Sequence, residues 1–227
     1  MHRNRALRVL YVHGLESGPG GYKVQQMRAQ GIDVAAPSME MSLWDPRQSN
    51  SVVRNLLSPG MLLRHWPWQW LAAAGDASFA ACIDVQRQAL REDGPFDVLV
   101  GSSWGGAVAA ALVADGSWDG AAVLLCPALR LKERRFGEPL APAHSVDAII
   151  AGLAALPAHR RETCLLVHGD ADSTVPVADS SDLSKATGIA LETISGGSHG
   201  LSSIVRDGRL VQLVQQVAAA AAPTCRI

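Results

Sequence analysis

The chain is poor in the features that mark a protein for a charged, oxidised or lipid partner. Its 227 residues hold 20 lysines and arginines against 21 aspartates and glutamates, a formal net charge of −1. A balance so near zero sets up no field for nucleic acid or an anionic membrane surface. Cysteine is scarce: Cys82, Cys126, Cys164 and Cys225 stand far apart, with no C-x-x-C. That spacing argues against a disulfide framework or a redox pair. Cys126 and Cys164 fall in apolar runs, where a free thiol acts as a small hydrophobe. A reduced, cytoplasmic chain is expected. No apolar stretch reaches the roughly 20 residues that span a bilayer. The early run Val9-Leu10-Tyr11-Val12 is too short for the core of a signal peptide. No internal repeat is evident. The glycine-rich loop at residues 13–21 lacks both G-x-G-x-x-G and G-K-[ST], so it gives no nucleotide fingerprint. No cofactor or metal is expected.

What is present is apolar material, 48% of residues, enough to exclude disorder and to build a single domain over residues 1–227. It comes in short runs. Strands are expected at 7–12, 32–36, 96–100, 121–125, 163–167 and 189–194. Helices are expected at 22–30, from an Asp76 cap to 91, at 107–113, 146–153, 176–185 and 202–221. The basic run at 130–135 reads as a solvated loop. This alternation implies an α/β fold, with about six mostly parallel strands and helices on both faces. Residues 38–75 break it. They carry Trp44, Trp66, Trp68 and Trp70 among three prolines. So long a connection is usually functional or holds small helices of its own. A lid-like insert over the site, an excursion packed on the core and a dimer surface are all open readings.

In such a sheet the chemistry sits at the carboxyl ends of the strands. The third strand runs into Gly101-Ser102-Ser103-Trp104-Gly105-Gly106 and then into a helix. This is the strand–turn–helix setting of G-x-S-x-G. The serine occupies a strained turn, the glycines stand where a Cβ would strike backbone, and the helix N-terminus favours negative charge. A serine hydroxyl needs a base, and the base needs a third group to hold its tautomer. The chain order for this architecture is Ser, acid, His. His199 is the candidate base, because it follows the last strand in a glycine-rich loop. His13 and His168 precede glycines at strand ends, where an imidazole usually bonds backbone or packs. Asp170 and Asp172 both follow strand five. Asp172 lies further out and can reach across to the histidine, whereas Asp170 is suited to bracing its own turn. The candidate catalytic set is therefore Ser103, Asp172 and His199. The backbone N–H groups of Trp104 and Leu15 are the candidate oxyanion hole. Trp66, Trp68 and Trp70 are candidates to bind the substrate's acyl group.

Five stretches carry a resemblance. They are Tyr11-Val-His13-Gly14-Leu-Glu-Ser17-Gly-Pro19 with Lys23, the serine elbow, Cys126-Pro127-Ala128-Leu-Arg130, His168-Gly169-Asp-Ala-Asp172-Ser-Thr-Val175-Pro176, and Gly196-Gly197-Ser-His199. Together they resemble the α/β-hydrolase superfamily in its small bacterial esterase-like (YqiA-like) branch, over nearly the whole chain except 38–75. The resemblance implies a sheet without the two leading strands of larger members. It also implies hydrolysis of a carboxylic ester or thioester on a small-molecule acyl substrate, by a monomer or homodimer. Amide cleavage, acyl transfer and carbon–carbon hydrolysis use the same triad, and a binding protein on the same scaffold is the non-enzymatic alternative.

Overall fold

A computed structural model describes residues 5–221. The order is β1 (Arg8–Val12), α1 (Tyr22–Ala29), β2 (Asp33–Ala35), α2 (Val52–Leu56), α3 (Pro59–Arg64), a 3-10 turn (Pro67–Gln69), α4 (Trp70–Glu92), β3 (Val98–Ser102) and α5 (Trp104–Ala114). There follow β4 (Ala121–Leu125), α6 (Leu129–Phe136), a second 3-10 turn (Pro142–His144), α7 (Val146–Ala154), α8 (Ala158–Arg161), β5 (Cys164–Gly169), α9 (Val177–Thr187), β6 (Ala190–Ile194), α10 (Ser202–Arg206) and α11 (Arg209–Ala221).

The six strands form one sheet in the order β2-β1-β3-β4-β5-β6, every pair parallel. Side chains alternate across a strand, and here both faces are covered. Leu10, Val12, Leu99, Leu124 and Leu166 pack into one core with α4, α5 and α7. Val9, Tyr11, Val98, Val100, Val123 and Val167 pack into a second core with α1, α10 and α11. The continuous apolar runs of the sequence follow from this double burial. The three described cysteines, Cys82, Cys126 and Cys164, are buried and unpaired; Cys225 lies outside the described residues. Among the described residues no helix is long and apolar enough to cross a membrane.

Three local expectations need correction. Asp76 does not cap α4; the helix begins earlier, at Trp70, because Leu71-Ala72-Ala73-Ala74 are strong helix formers. The Asp76 carboxylate instead accepts from the Ala141 N–H at 2.9 Å and meets His144 Nδ1 at 2.5 Å. The basic run is helical, as α6, rather than a solvated loop. Lys132 is buried there: its Nζ donates to the His144 carbonyl at 2.7 Å and lies 4.5 Å from the Phe79 ring centre. The last helix is two helices, broken at Gly208, whose φ of +82° no helix accommodates.

Residues 38–75 fold back over α4 through α2 and α3. Met39, Met41, Val52 and Met61 from this segment sit in the same core as Leu10 and Val12, and Asn55 Nδ2 donates to Ser78 Oγ of α4 at 2.8 Å.

Candidate active site

The sheet order reverses direction between β1 and β3. β1 continues outward to β2, and β3 continues the other way to β4. The loops leaving the carboxyl ends of β1 and β3 must part there, which opens a crevice in any doubly wound sheet. The loop carrying Gly14 and Leu15 leaves β1 at that point, and Ser103 leaves β3.

Ser103 adopts φ 58° and ψ −117°, a region that costs a non-glycine residue roughly 1–3 kcal/mol. Its backbone holds the turn through three hydrogen bonds. The N–H donates to Leu125 O at 2.8 Å, and the carbonyl accepts from Ala107 and Ala128 at 3.1 and 3.0 Å. The flanking glycines are required by close approach. A Cβ on Gly105 would lie 2.1 Å from Val12 O and 2.4 Å from His13 O; one on Gly101 would lie 2.4 Å from Gly105 O. Gly105→Ala is accordingly expected to push β1 and α5 apart. The variant should lose several degrees of melting temperature, or fail to accumulate folded, together with its activity. A melting temperature equal to the parent's would show that the elbow relaxes freely.

Three side chains meet in one line. His199 Nε2 is 2.8 Å from Ser103 Oγ, and His199 Nδ1 is 2.7 Å from Asp172 Oδ2. The Asp172 side chain has no solvent exposure, and its Oδ1 accepts from the N–H groups of Thr174 and Val175 at 2.8 and 2.9 Å. Burial alone would raise this carboxyl. The Val175 and Thr174 N–H groups and the His199 ring outweigh it and hold the group below the ordinary aspartate value. Asp172 therefore stays ionised at neutral pH, which assigns the proton on Nδ1 of His199 and leaves Nε2 free to accept from the serine hydroxyl. Asp170 is not part of this line. Its Oδ1 accepts from the Gly196 N–H at 2.7 Å, tying the β5 and β6 loops together.

Trp104 opens α5, so its N–H has no intrahelical acceptor. The Leu15 N–H makes no hydrogen bond among the described residues. The β1 loop lies against the elbow: a Cβ on Gly14 would come within 3.3 Å of Ser103 Cβ. That loop is pinned to residues 38–75. His13 is buried, its Nε2 accepting from the Met39 N–H at 3.1 Å and its Nδ1 3.0 Å from the Gly14 carbonyl. Glu16 accepts from Ser42 Oγ and the Leu43 N–H at 2.8 and 2.9 Å.

A cavity of about 270 Å³ opens beside Ser103 and His199 and includes Leu15 in its wall. Trp66, Trp68 and Trp70 do not line it. Pro67 starts a tight turn that leaves the Trp66 and Trp68 rings exposed and stacked on each other, 5.3 Å apart and 7° from parallel. Trp70 starts α4 and donates its Nε1–H to the His65 carbonyl at 2.9 Å. The three residues expected to bind the acyl group thus stand outside the wall of this cavity. Of the insert's tryptophans, Trp44 faces an apolar cleft of about 360 Å³ with Leu56, Leu71 and Phe136.

Two neighbours of the site lie outside the candidate set: His168, expected to bond backbone or pack, and Lys23 of the first motif. His168 Nε2 approaches Asp172 Oδ2 at 3.2 Å as well as the Val175 carbonyl at 2.9 Å, and Ser180 Oγ lies 2.7 Å from its Nδ1. Lys23 lines the cavity from α1. Cys126, His168 and Asp172 bring ligand atoms within 4.8 Å of one another. They make a poor metal set, since both His168 nitrogens are engaged and burial pushes the Cys126 thiol up to about 12.

A model of the family described as Serine hydrolase (FSH1) matches residues 64–199, a span holding Ser103, Asp172 and His199. Solved structures share the fold. A hydrolase of the α/β superfamily from Xanthomonas campestris pv. campestris is 21% identical, with 95% of this chain and 97% of that one covered and a TM-score of 0.54. The monoacylglycerol lipase of Paleococcus ferrophilus is 16% identical, with 94% of each chain covered and a TM-score of 0.56. A serine hydrolase from Cycloclasticus zankles is 14% identical, with 94% and 89% covered and a TM-score of 0.54. No curated protein matches the chain.

Proposed function

Since the chain belongs to the Serine hydrolase (FSH1) family, we propose that it cleaves a carboxylic ester or thioester through an acyl-enzyme formed on Ser103. The observation that carries this reading is the unbroken line from Ser103 Oγ through the His199 ring to a buried, ionised Asp172. Nε2 of His199 takes the hydroxyl proton as Oγ attacks the acyl carbon. The oxyanion is received by the N–H groups of Trp104 and Leu15, and the N-terminus of α5 adds its dipole. Collapse expels the alcohol or thiol, which leaves with the proton from His199. Water then repeats the sequence on the acyl-enzyme, and the acid departs.

Residues 38–75 act in this reading as the wall that fixes the Leu15 loop, through the His13–Met39 and Glu16–Leu43 bonds. The buried, unpaired cysteines suit a reducing compartment, so the cytoplasm is the proposed setting. The test is pre-steady-state hydrolysis of a p-nitrophenyl ester. A burst of p-nitrophenolate stoichiometric with the protein is expected, followed by slower steady turnover. Turnover with no burst and no trappable acyl-serine would count against a covalent path.

A further inference from the structure

The cavity at Ser103 has an unbalanced charge. Its wall includes Tyr11, Tyr22, Lys23, Ser103 and His199, and no aspartate or glutamate. Lys23 is half-buried on α1 and makes no hydrogen bond or ion pair with any described residue. Glu16 of the Leu15 loop is not in that wall, and its Oε1 accepts from Ser42 Oγ and the Leu43 N–H. Burial draws the Lys23 ammonium below the ordinary lysine value, and the Cys126 thiol beside it stays protonated and cannot act as its counter-ion. An ammonium withdrawn from water without a partner is a standing penalty, which an anionic ligand relieves.

A second feature faces the same way. α1 has no acidic residue in its first turn, and its N-cap, Gly21, has no side chain to satisfy the free N–H groups. Gly21, Tyr22 and Lys23 all line the cavity, so this helix N-terminus opens on it too.

We propose that Lys23 and the N-terminus of α1 form a carboxylate-binding subsite, so that the preferred substrate is an ester or thioester bearing a carboxylate near the scissile carbonyl. This rests on Ser103 being the nucleophile. One cation and one helix end match a singly charged carboxylate. The cavity of about 270 Å³ admits a chain of only a few carbons between that carboxylate and the reacting centre.

The test uses three p-nitrophenyl-type alkylphosphonates of equal size. One ends its alkyl chain in methyl, one ends it in a carboxylate, and one carries the carboxylate on the phenol that leaves. Rates of Ser103 phosphonylation are followed by intact mass in the parent, Lys23→Met and Lys23→Arg. In the parent, one carboxylated probe should react about tenfold or more faster than the neutral one. The probe that does so tells whether the acyl or the leaving half carries the charge. Lys23→Met should erase that ratio, and Lys23→Arg should restore part of it. A ratio near one in the parent, or one unchanged in Lys23→Met, overturns the subsite while leaving Ser103 as nucleophile. Failure of every probe to label Ser103 overturns the nucleophile, and the subsite with it.

Discussion

Ser103→Ala and His199→Ala are each expected to lower kcat for ester hydrolysis by roughly 10⁶-fold, and the double variant should be no slower than either single one. The hydroxyl and the ring act as one unit. A serine that keeps its proton is inert, and a base without a nucleophile has only water to activate. Neither change should unfold the protein. Alanine at 103 keeps the same strained backbone and the same three backbone hydrogen bonds. The His199 side chain is 25% exposed and lies in a loop, so its removal opens little core. Melting curves should therefore shift by only a few degrees. Residual turnover within a hundredfold of the parent in Ser103→Ala, with the fold intact, would move the nucleophile elsewhere. Equal and independent losses that multiply in the double variant would separate the two residues into different steps.

The strand ends were the legible part of the sequence. Apolar runs of five or six residues, four of them stopped by glycine-rich loops and two by Pro37 and Cys126-Pro127, read directly as a parallel sheet buried on both faces. The chain order of serine, acid and histidine then pointed to three such loops. Much of what escaped depended on a distant partner. Asp76 looked like a helix cap because its bonds to Ala141 and His144 are invisible in a local window. The run at 130–135 looked solvated because its charge count hides Lys132, whose ammonium finds the His144 carbonyl and the Phe79 ring. Residue type alone leaves open where the tryptophans of the insert point. Their direction is set by the Pro67 turn and by the start of α4, which no side-chain preference encodes. Lys23 stood in a motif, but its lack of a counter-ion became visible only when α1 folded against the crevice.

Asp172→Asn should slow turnover on the order of 10⁴-fold, whereas Asp170→Asn should stay within a few-fold of the parent. The difference follows from where each carboxylate's oxygens go. Oδ1 of Asp172 accepts two backbone N–H groups, from Thr174 and Val175, and Oδ2 accepts from the His199 ring. An asparagine has one oxygen. Two backbone donors hold that oxygen on their side, and the amide NH₂ then faces His199 Nδ1. The ring must answer as an acceptor at Nδ1, so its proton moves to Nε2 and points at Ser103 Oγ. A base in that tautomer cannot take the serine proton. Asp170 has a different task, accepting a single N–H from Gly196 at 2.7 Å. An asparagine oxygen can accept the same bond, so Asp170→Asn keeps the brace and costs about 1 kcal/mol of stability at most. kcat for the two variants, measured beside their melting temperatures, checks the assignment. A larger kcat loss in Asp170→Asn at unchanged stability would exchange the two roles. A small loss in Asp172→Asn would mean that His168, whose Nε2 stands 3.2 Å from the same oxygen, can hold the amide turned the other way.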